Sequence, residues 1–176
     1  IVKAKSGNYS EATNCFKKVV ELNPQFPDGF NNLGNILAEQ EKFDEAIMSF
    51  RKALSLNPLM AGTYNNIGNI FFKKVDLQNA IINYEKSISI DNNFIDALNN
   101  LGNTSHLLGK SIQSIETYKK AILLDPTNTV YWNNIAYPMR TINTNKSIVD
   151  TILLDLQKDE RLKNQEIYKL ILIEYF

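Results

Sequence analysis

Asparagines recur in this chain at a spacing that suits binding to the main chain of another polypeptide. A group of two adjacent asparagines, with a third placed three positions later, returns every 34 residues along the sequence. Its members are Asn31, Asn32, Asn35, Asn65, Asn66, Asn69, Asn99, Asn100, Asn103, Asn133 and Asn134, and Tyr137 takes the twelfth place. Each amide offers two N–H donors and a carbonyl acceptor, which match the C=O and N–H groups of an extended peptide. The pattern therefore predicts a binding surface with little sequence preference.

The elements that must position these amides share the same period. Glycines recur with it at Gly34, Gly68 and Gly102, and Ala136 takes the next step. A small residue recurs at a second position, as Ala12, Ala46, Ala80 and Ser114. An aromatic residue recurs at a third position, as Phe16, Phe50, Tyr84 and Tyr118. A fixed period of this length is typical of stacked supersecondary units.

Each period contains two amphipathic helices. In residues 27–60, Phe30, Leu33, Gly34 and Leu37 follow the i, i+3, i+4, i+7 spacing of one helical face. The pattern restarts at Phe43, and Asn57-Pro58 ends it, since proline lacks an N–H and disfavours helical geometry in the preceding residue. We predict antiparallel helices of about 12–14 residues, joined by a short turn.

These residues resemble the tetratricopeptide repeat, whose pattern is W-x2-L-G-x2-Y…A-x3-F…P. The second unit carries that pattern as Phe30, Leu33, Gly34, Leu37, Ala46, Phe50, Ala53 and Pro58. The resemblance implies an all-α, right-handed superhelical solenoid of antiparallel helix pairs. It predicts a partial first repeat over 1–26 and complete repeats over 27–60, 61–94 and 95–128.

The resemblance fades after about residue 137. Residues 129–162 are predicted to form a degenerate repeat, because Pro138 falls at the tenth position, where it should kink or end the first helix. Residues 163–176 are predicted to form a C-terminal helix that serves as a cap, a junction or an interface.

The resemblance also implies which face binds a partner. In this family the first helix of each repeat lines a concave groove through positions 2, 5, 6, 9, 12 and 13, counted here from Pro27. The asparagines occupy positions 5, 6 and 9. Neighbouring first helices stand about 10 Å apart, and an extended chain advances about 3.3 Å per residue. The asparagines of successive repeats could therefore contact every third residue of the peptide. Phe72, His106, Leu107 and Tyr137 are possible groove anchors for the peptide's side chains.

Two known groove types bear on the choice of partner. The position-6 series Asn32, Asn66, Asn100 and Asn134 is similar to an asparagine ladder in O-linked N-acetylglucosamine transferases, which binds substrate backbones. Chaperone-binding repeats instead hold a C-terminal carboxylate with basic residues, which this chain lacks at positions 2, 5 and 6. Asparagine at positions 6 and 9 could alternatively bond within or between helices, whereas nothing in the expected packing asks for it at position 5.

Composition excludes several classes of function. The 19 basic and 19 acidic residues balance, so no overall charge attracts nucleic acid or an anionic membrane. No apolar run reaches the roughly 18–20 residues that span a bilayer. The lone Cys15 and the lone His106 give no metal-ligand cluster and no catalytic pair. We predict no cofactor, no metal, no catalysis by this chain, no nucleic-acid or membrane partner, and a cytoplasmic location.

Basic pairs recur on the predicted second helices, away from the groove. They are Lys17-Lys18, Arg51-Lys52 and Lys119-Lys120, and Glu85-Lys86 interrupts the series. We interpret them as part of a solvated outer face.

Three functions remain open. The chain could be an interaction module that holds an extended polypeptide in the asparagine-lined groove. A fragment is expected, since Ile1 falls midway along a predicted helix. The chain could be the substrate-recruiting arm of a larger glycosyl- or other transferase whose catalytic domain follows Phe176, an alternative that the apolar C-terminal stretch suggests. It could also be a scaffold that forms a homo-oligomer through residues 164–176.

Overall fold

The computed structural model describes residues 2–141 together with Thr151, Leu154 and Lys158, and side chains from Tyr9 onward. Residues 2–141 contain helices and turns and no β-strand, so the predicted all-α class is confirmed. The helices are α1 (Val2–Leu22), α2 (Pro27–Glu39), α3 (Phe43–Leu56), α4 (Ala61–Lys73), α5 (Leu77–Ile90), α6 (Ile95–Leu107), α7 (Ser111–Leu124) and α8 (Thr129–Thr141).

Two predictions concern residues beyond this range. The second half of the degenerate repeat and the C-terminal helix over 163–176 lie outside the described residues, apart from the three isolated positions. In the part of the chain that is described, no helix has both the length and the apolar character needed to cross a bilayer.

The chain forms two compact units, residues 1–91 and residues 92–176. In the first unit α2 packs against α3 and α4 packs against α5. In the second unit α6 packs against α7, and α7 packs against α8. The pairs α2–α3, α4–α5 and α6–α7 fall within the predicted repeat bounds of 27–60, 61–94 and 95–128.

In each complete pair, an aromatic ring of the second helix lies directly against a glycine of the first helix. A Cβ atom added to this glycine would lie 2.5–2.8 Å from the nearest ring carbon of an aromatic residue on the second helix. The three pairs are Gly34 with Phe50, Gly68 with Tyr84 and Gly102 with Tyr118. All three rings are at most 1% exposed. Any side chain at these glycines would therefore displace a close-packed ring.

The first helix of each complete pair ends in a left-handed residue that recurs with the repeat. Glu41, Val75 and Gly109 have φ of 60°, 61° and 72°. The next N–H donates to the carbonyl five positions back, at 2.9 Å in each repeat, as in a Schellman motif. Sequence reasoning missed this feature, because only Gly109 is of the residue type that predicts a positive φ. Val75, being β-branched, is strained there.

Helix α1 continues where the repeat register places a turn. Gly7 lies one period before Glu41, yet the helix is unbroken from Val2 to Leu22. A continuous helix keeps the backbone hydrogen bonds between successive turns that a left-handed residue at this point would break.

Helix α8 also continues where a break was predicted. Pro138 lies inside α8, which runs on to Thr141, so the helix does not end at the proline. Pro138 and Met139 are both buried, and Met139 is 0% exposed. Burial of these side chains offsets the backbone hydrogen bond that proline cannot donate.

The glycine contact predicts a contrast between two alanine substitutions in α4. Gly68→Ala should lower the free energy of unfolding by about 1–3 kcal/mol, because the new Cβ overlaps the Tyr84 ring. Gly62→Ala is the matched control, since a Cβ there meets nothing within 4 Å and alanine favours a helix by up to about 1 kcal/mol. Urea unfolding measures both; equal losses would contradict a steric role for the ring.

The left-handed turn predicts a second contrast. Val75→Gly should raise the free energy of unfolding by about 0.5–1 kcal/mol, since relief of strain exceeds the added chain entropy of glycine. Val75 is 77% exposed, so little packing is lost. Gly109→Val should destabilise by about 1–2 kcal/mol for the opposite reason. Thermal unfolding of both variants checks the prediction, and a lower midpoint for Val75→Gly would contradict it.

Candidate peptide-binding face

The asparagines predicted to bind a peptide lie on α2 and α4 in the first unit and on α6 and α8 in the second. Their exposure differs. Asn65 is buried at 6%, Asn133 is exposed, and the other nine are partly buried. A partly buried side chain on a first helix is in contact both with neighbouring residues and with solvent.

The position-9 amides of two repeats accept hydrogen bonds from buried tyrosines. Tyr84 Oη donates to Asn69 Oδ1 at 2.9 Å, and Tyr118 Oη donates to Asn103 Oδ1. Burial raises the pKa of both phenols well above the ordinary tyrosine value of 10.0. A buried tyrosine hydroxyl needs a polar partner, so Asn69 and Asn103 stabilise the packing of the second helix against the first.

The pair α2–α3 lacks this bond for a reason visible in the sequence. Its aromatic residue is Phe50, which has no hydroxyl group. Asn35 Oδ1 instead accepts from Asn66 Nδ2 at 2.8 Å, a contact between α2 and α4. The residue type at the aromatic position could therefore have indicated the partner of the position-9 asparagine. Tyrosine provides a hydroxyl within the pair, whereas phenylalanine leaves the amide to bond with the next first helix.

Position-5 asparagines also link neighbouring first helices. Thr63 Oγ1 donates to Asn31 Oδ1 at 2.8 Å in the first unit. In the second unit, Asn134 Nδ2 donates to Asn99 Oδ1 at 3.2 Å. The expectation that packing makes no use of asparagine at position 5 is therefore wrong for Asn31 and Asn99.

Asn134 has a second role. Its side chain hydrogen-bonds the Tyr118 phenol, which partly opposes the rise in the pKa of Tyr118 caused by burial. Asn134 thus connects α8 with both α6 and α7. Asn65 at position 5 and Asn100 at position 6 have interaction partners as well.

Two asparagines differ from the rest. Asn32 and Asn133 form no side-chain hydrogen bond with any described residue. Asn66 uses one N–H for Asn35, and an amide group has a second N–H and a carbonyl oxygen with two lone pairs. Asn32 and Asn133 therefore keep their full hydrogen-bonding capacity, and amides with one partner, such as Asn35 and Asn66, keep part of theirs.

The predicted groove anchors are placed in two groups. Phe72 lies on α4 in the first unit and is 36% exposed. In the second unit, Leu107 and Tyr137 are 61% and 60% exposed. The His106 ring centre lies 6.5 Å from that of Tyr137, and its buried Nδ1 has no hydrogen-bond partner among the described residues. The second unit thus combines exposed apolar surface with Asn133, four positions before Tyr137.

Comparison with protein families decides what these helix pairs are. Models described as tetratricopeptide repeat or TPR repeat match residues 27–58, residues 2–41 and 68–109, and residues 95–128. Together these matches cover residues 2–58 and 68–128. The chain belongs to the tetratricopeptide repeat family. Repeat domains of this family are in general non-catalytic modules for protein–protein interaction.

Solved structures share the tetratricopeptide repeat fold. The chain is similar to a crystal structure of MamA, with a TM-score of 0.74 and 22% identity over 98% of this chain and 91% of that chain. A second crystal structure of MamA protein gives a TM-score of 0.72 and 24% identity over 93% and 90%. No curated protein sequence matches significantly.

A third solved structure contains a bound peptide. The first TPR of Spaghetti (RPAP3) bound to the HSP90 peptide SRMEEVD has a TM-score of 0.64 and 19% identity. The likeness covers 68% of this chain and 94% of that chain. At these identities, all three structures show that the fold is shared.

The tyrosine–asparagine bond predicts how stability of these tetratricopeptide repeats depends on pH. Tyr84→Phe should lower the free energy of unfolding by about 1 kcal/mol at pH 7, because Asn69 loses a donor. Since the folded state holds the Tyr84 proton more tightly, the unfolded chain releases it first, and stability falls as pH rises above about 10. In Tyr84→Phe the free energy of unfolding should fall less steeply with pH in this range.

Urea unfolding between pH 7 and pH 11 measures both effects. Tyr137→Phe is the matched control at pH 7, where its exposed hydroxyl predicts a change close to zero. An unchanged slope above pH 10 in Tyr84→Phe would contradict the prediction.

Proposed function

We propose that this chain is a protein–protein interaction module that binds an extended polypeptide along the first helices of its repeats. The observation that carries the proposal is the presence of amides with unused hydrogen-bonding capacity on these helices. Asn32 and Asn133 have no described side-chain partner, and Asn66 keeps one N–H. Family membership supports the general function, and the peptide bound to the RPAP3 repeats supports a peptide as the type of ligand.

The chemistry favours recognition of main chain with a limited contribution from side chains. Each amide-to-peptide hydrogen bond contributes about 0.5–1.5 kcal/mol net. Exposed Phe72, Leu107 and Tyr137 provide apolar surface on the same helices. Burying one large apolar ligand side chain adds roughly 1.5–3 kcal/mol. These contributions support binding on the order of micromolar to millimolar, which suits a module with several partners.

The same face would serve a substrate-recruiting arm. In that case the ligand is the polypeptide on which a transferase acts, and the position-6 series Asn32, Asn66, Asn100 and Asn134 contributes the contacts. Asn66 and Asn134 already bond to neighbouring repeats, so Asn32 has the largest unused capacity in this series. Recruitment is thus a special case of the proposed binding.

Substitution of the unused amides tests the proposal. Short peptides are selected from a random library with the wild-type chain, and their affinities are measured by fluorescence anisotropy. Asn32→Ala and Asn133→Ala should each weaken binding about three- to tenfold, which corresponds to one lost hydrogen bond. Their free energy of unfolding should stay within about 0.5 kcal/mol of wild type, because neither side chain bonds to a described residue.

Two controls separate ligand contacts from structural effects. Tyr84→Phe should lower stability with little effect on peptide affinity, since its hydroxyl bonds to Asn69. N-methylation of successive peptide bonds should remove binding at the positions that face the amides, because it deletes the peptide N–H. Wild-type affinity in both asparagine variants, or no effect of N-methylation, would rule out main-chain recognition by these residues.

A further inference from the structure

The outer surface of α3 carries an ordered series of exposed side chains. Asp44, Glu45, Met48, Arg51 and Lys52 follow the spacing of a single helical face and are all exposed. We refer to these five residues as the α3 stripe. It lies on a second helix, whereas the proposed peptide-binding face lies on the first helices.

Charge in the α3 stripe is antisymmetric about its centre. Glu45 and Arg51 each lie three positions from Met48, and Asp44 and Lys52 each lie four positions from it. If a second copy of α3 is turned end over end about Met48, every acidic residue faces a basic residue. Glu45 then opposes the second copy's residue at position 51, and Asp44 opposes the one at position 52. An isologous interface requires such self-complementarity.

The centre of the stripe is apolar and exposed. Met48 is 72% exposed, and Ile82, at the same repeat position on α5, is 52% exposed. Both residues belong to the first unit. Single exposed apolar side chains are common, but here charged residues of opposite sign flank Met48 on its two sides along the helix.

The central charges are also available for a partner. Glu45 and Arg51 form no ion pair with any described residue. By contrast, Asp44 Oδ1 bonds to Lys74 Nζ at 2.8 Å, and Lys52 Nζ lies 5.9 Å from the centre of the Phe30 ring. Glu45 and Arg51 are therefore the charges of the α3 stripe that can pair with a second molecule.

We propose that two copies of this chain associate through their α3 stripes, antiparallel, with a two-fold axis at Met48. The Glu45 side chain of each copy pairs with Arg51 of the other, and the two Met48 side chains pack at the axis. Because the contact is small and its charges border solvent, the dimer is weak and loses affinity as salt screens the ion pairs.

Charge exchange tests this arrangement by sedimentation velocity at 50 mM salt, over a range of chain concentrations. Glu45→Arg and Arg51→Glu should each raise the dimer dissociation constant at least tenfold, because like charges then face each other. An equimolar mixture of these two variants should form a heterodimer, since all opposed charges attract again. The double variant carrying both substitutions should dimerise within about threefold of wild type.

The chain offers a matched control on α1. Glu11 occupies the same repeat position as Glu45, so Glu11→Arg changes net charge equally and should leave the dissociation constant unaltered. Circular dichroism establishes that each variant keeps its helices. A monomeric wild type at millimolar concentration would overturn the proposal. A dimer that survives Glu45→Arg and Arg51→Glu equally well would also overturn it, and would direct attention to another surface.

Discussion

The close contact between a glycine on each first helix and an aromatic ring on the second helix determines the rest of this structure. With no Cβ in the way, the ring lies directly against the first helix and becomes completely buried. The helices of a pair can therefore approach closely along amphipathic faces that neither could bury alone. The contact recurs at Gly34, Gly68 and Gly102, so each complete pair has a similar internal geometry.

The same contact links the core to the candidate binding face. A tyrosine ring that passes under the glycine brings its hydroxyl to the asparagine one position further along the first helix, as Tyr84 does with Asn69. Where the ring is Phe50, the corresponding Asn35 instead receives a bond from the next first helix. Stacking and the proposed peptide binding would thus draw on the same amides, because an asparagine that stabilises neighbouring helices still has a second N–H or a lone pair.

The sequence by itself determined the repeat period, the helix pairs, the positions of tight packing and the helices that carry the asparagines. These properties follow from local periodicity and residue size, which act within a single repeat. The left-handed turn at Val75 was not predictable, because a β-branched residue accepts that conformation only when the surrounding helix ends impose it. Likewise, helix α8 continued through Pro138 because burial of that residue and its neighbour compensates for the lost bond.

Only the tertiary structure decided which asparagine amides already form hydrogen bonds within the protein. The bonds from Asn66 to Asn35 and from Asn134 to Asn99 join residues 31 and 35 positions apart, and they depend on how adjacent first helices face each other. Identical residue types at identical repeat positions therefore have different partners. Side-chain direction and the distance between helices set that difference, and neither is encoded in spacing along the chain.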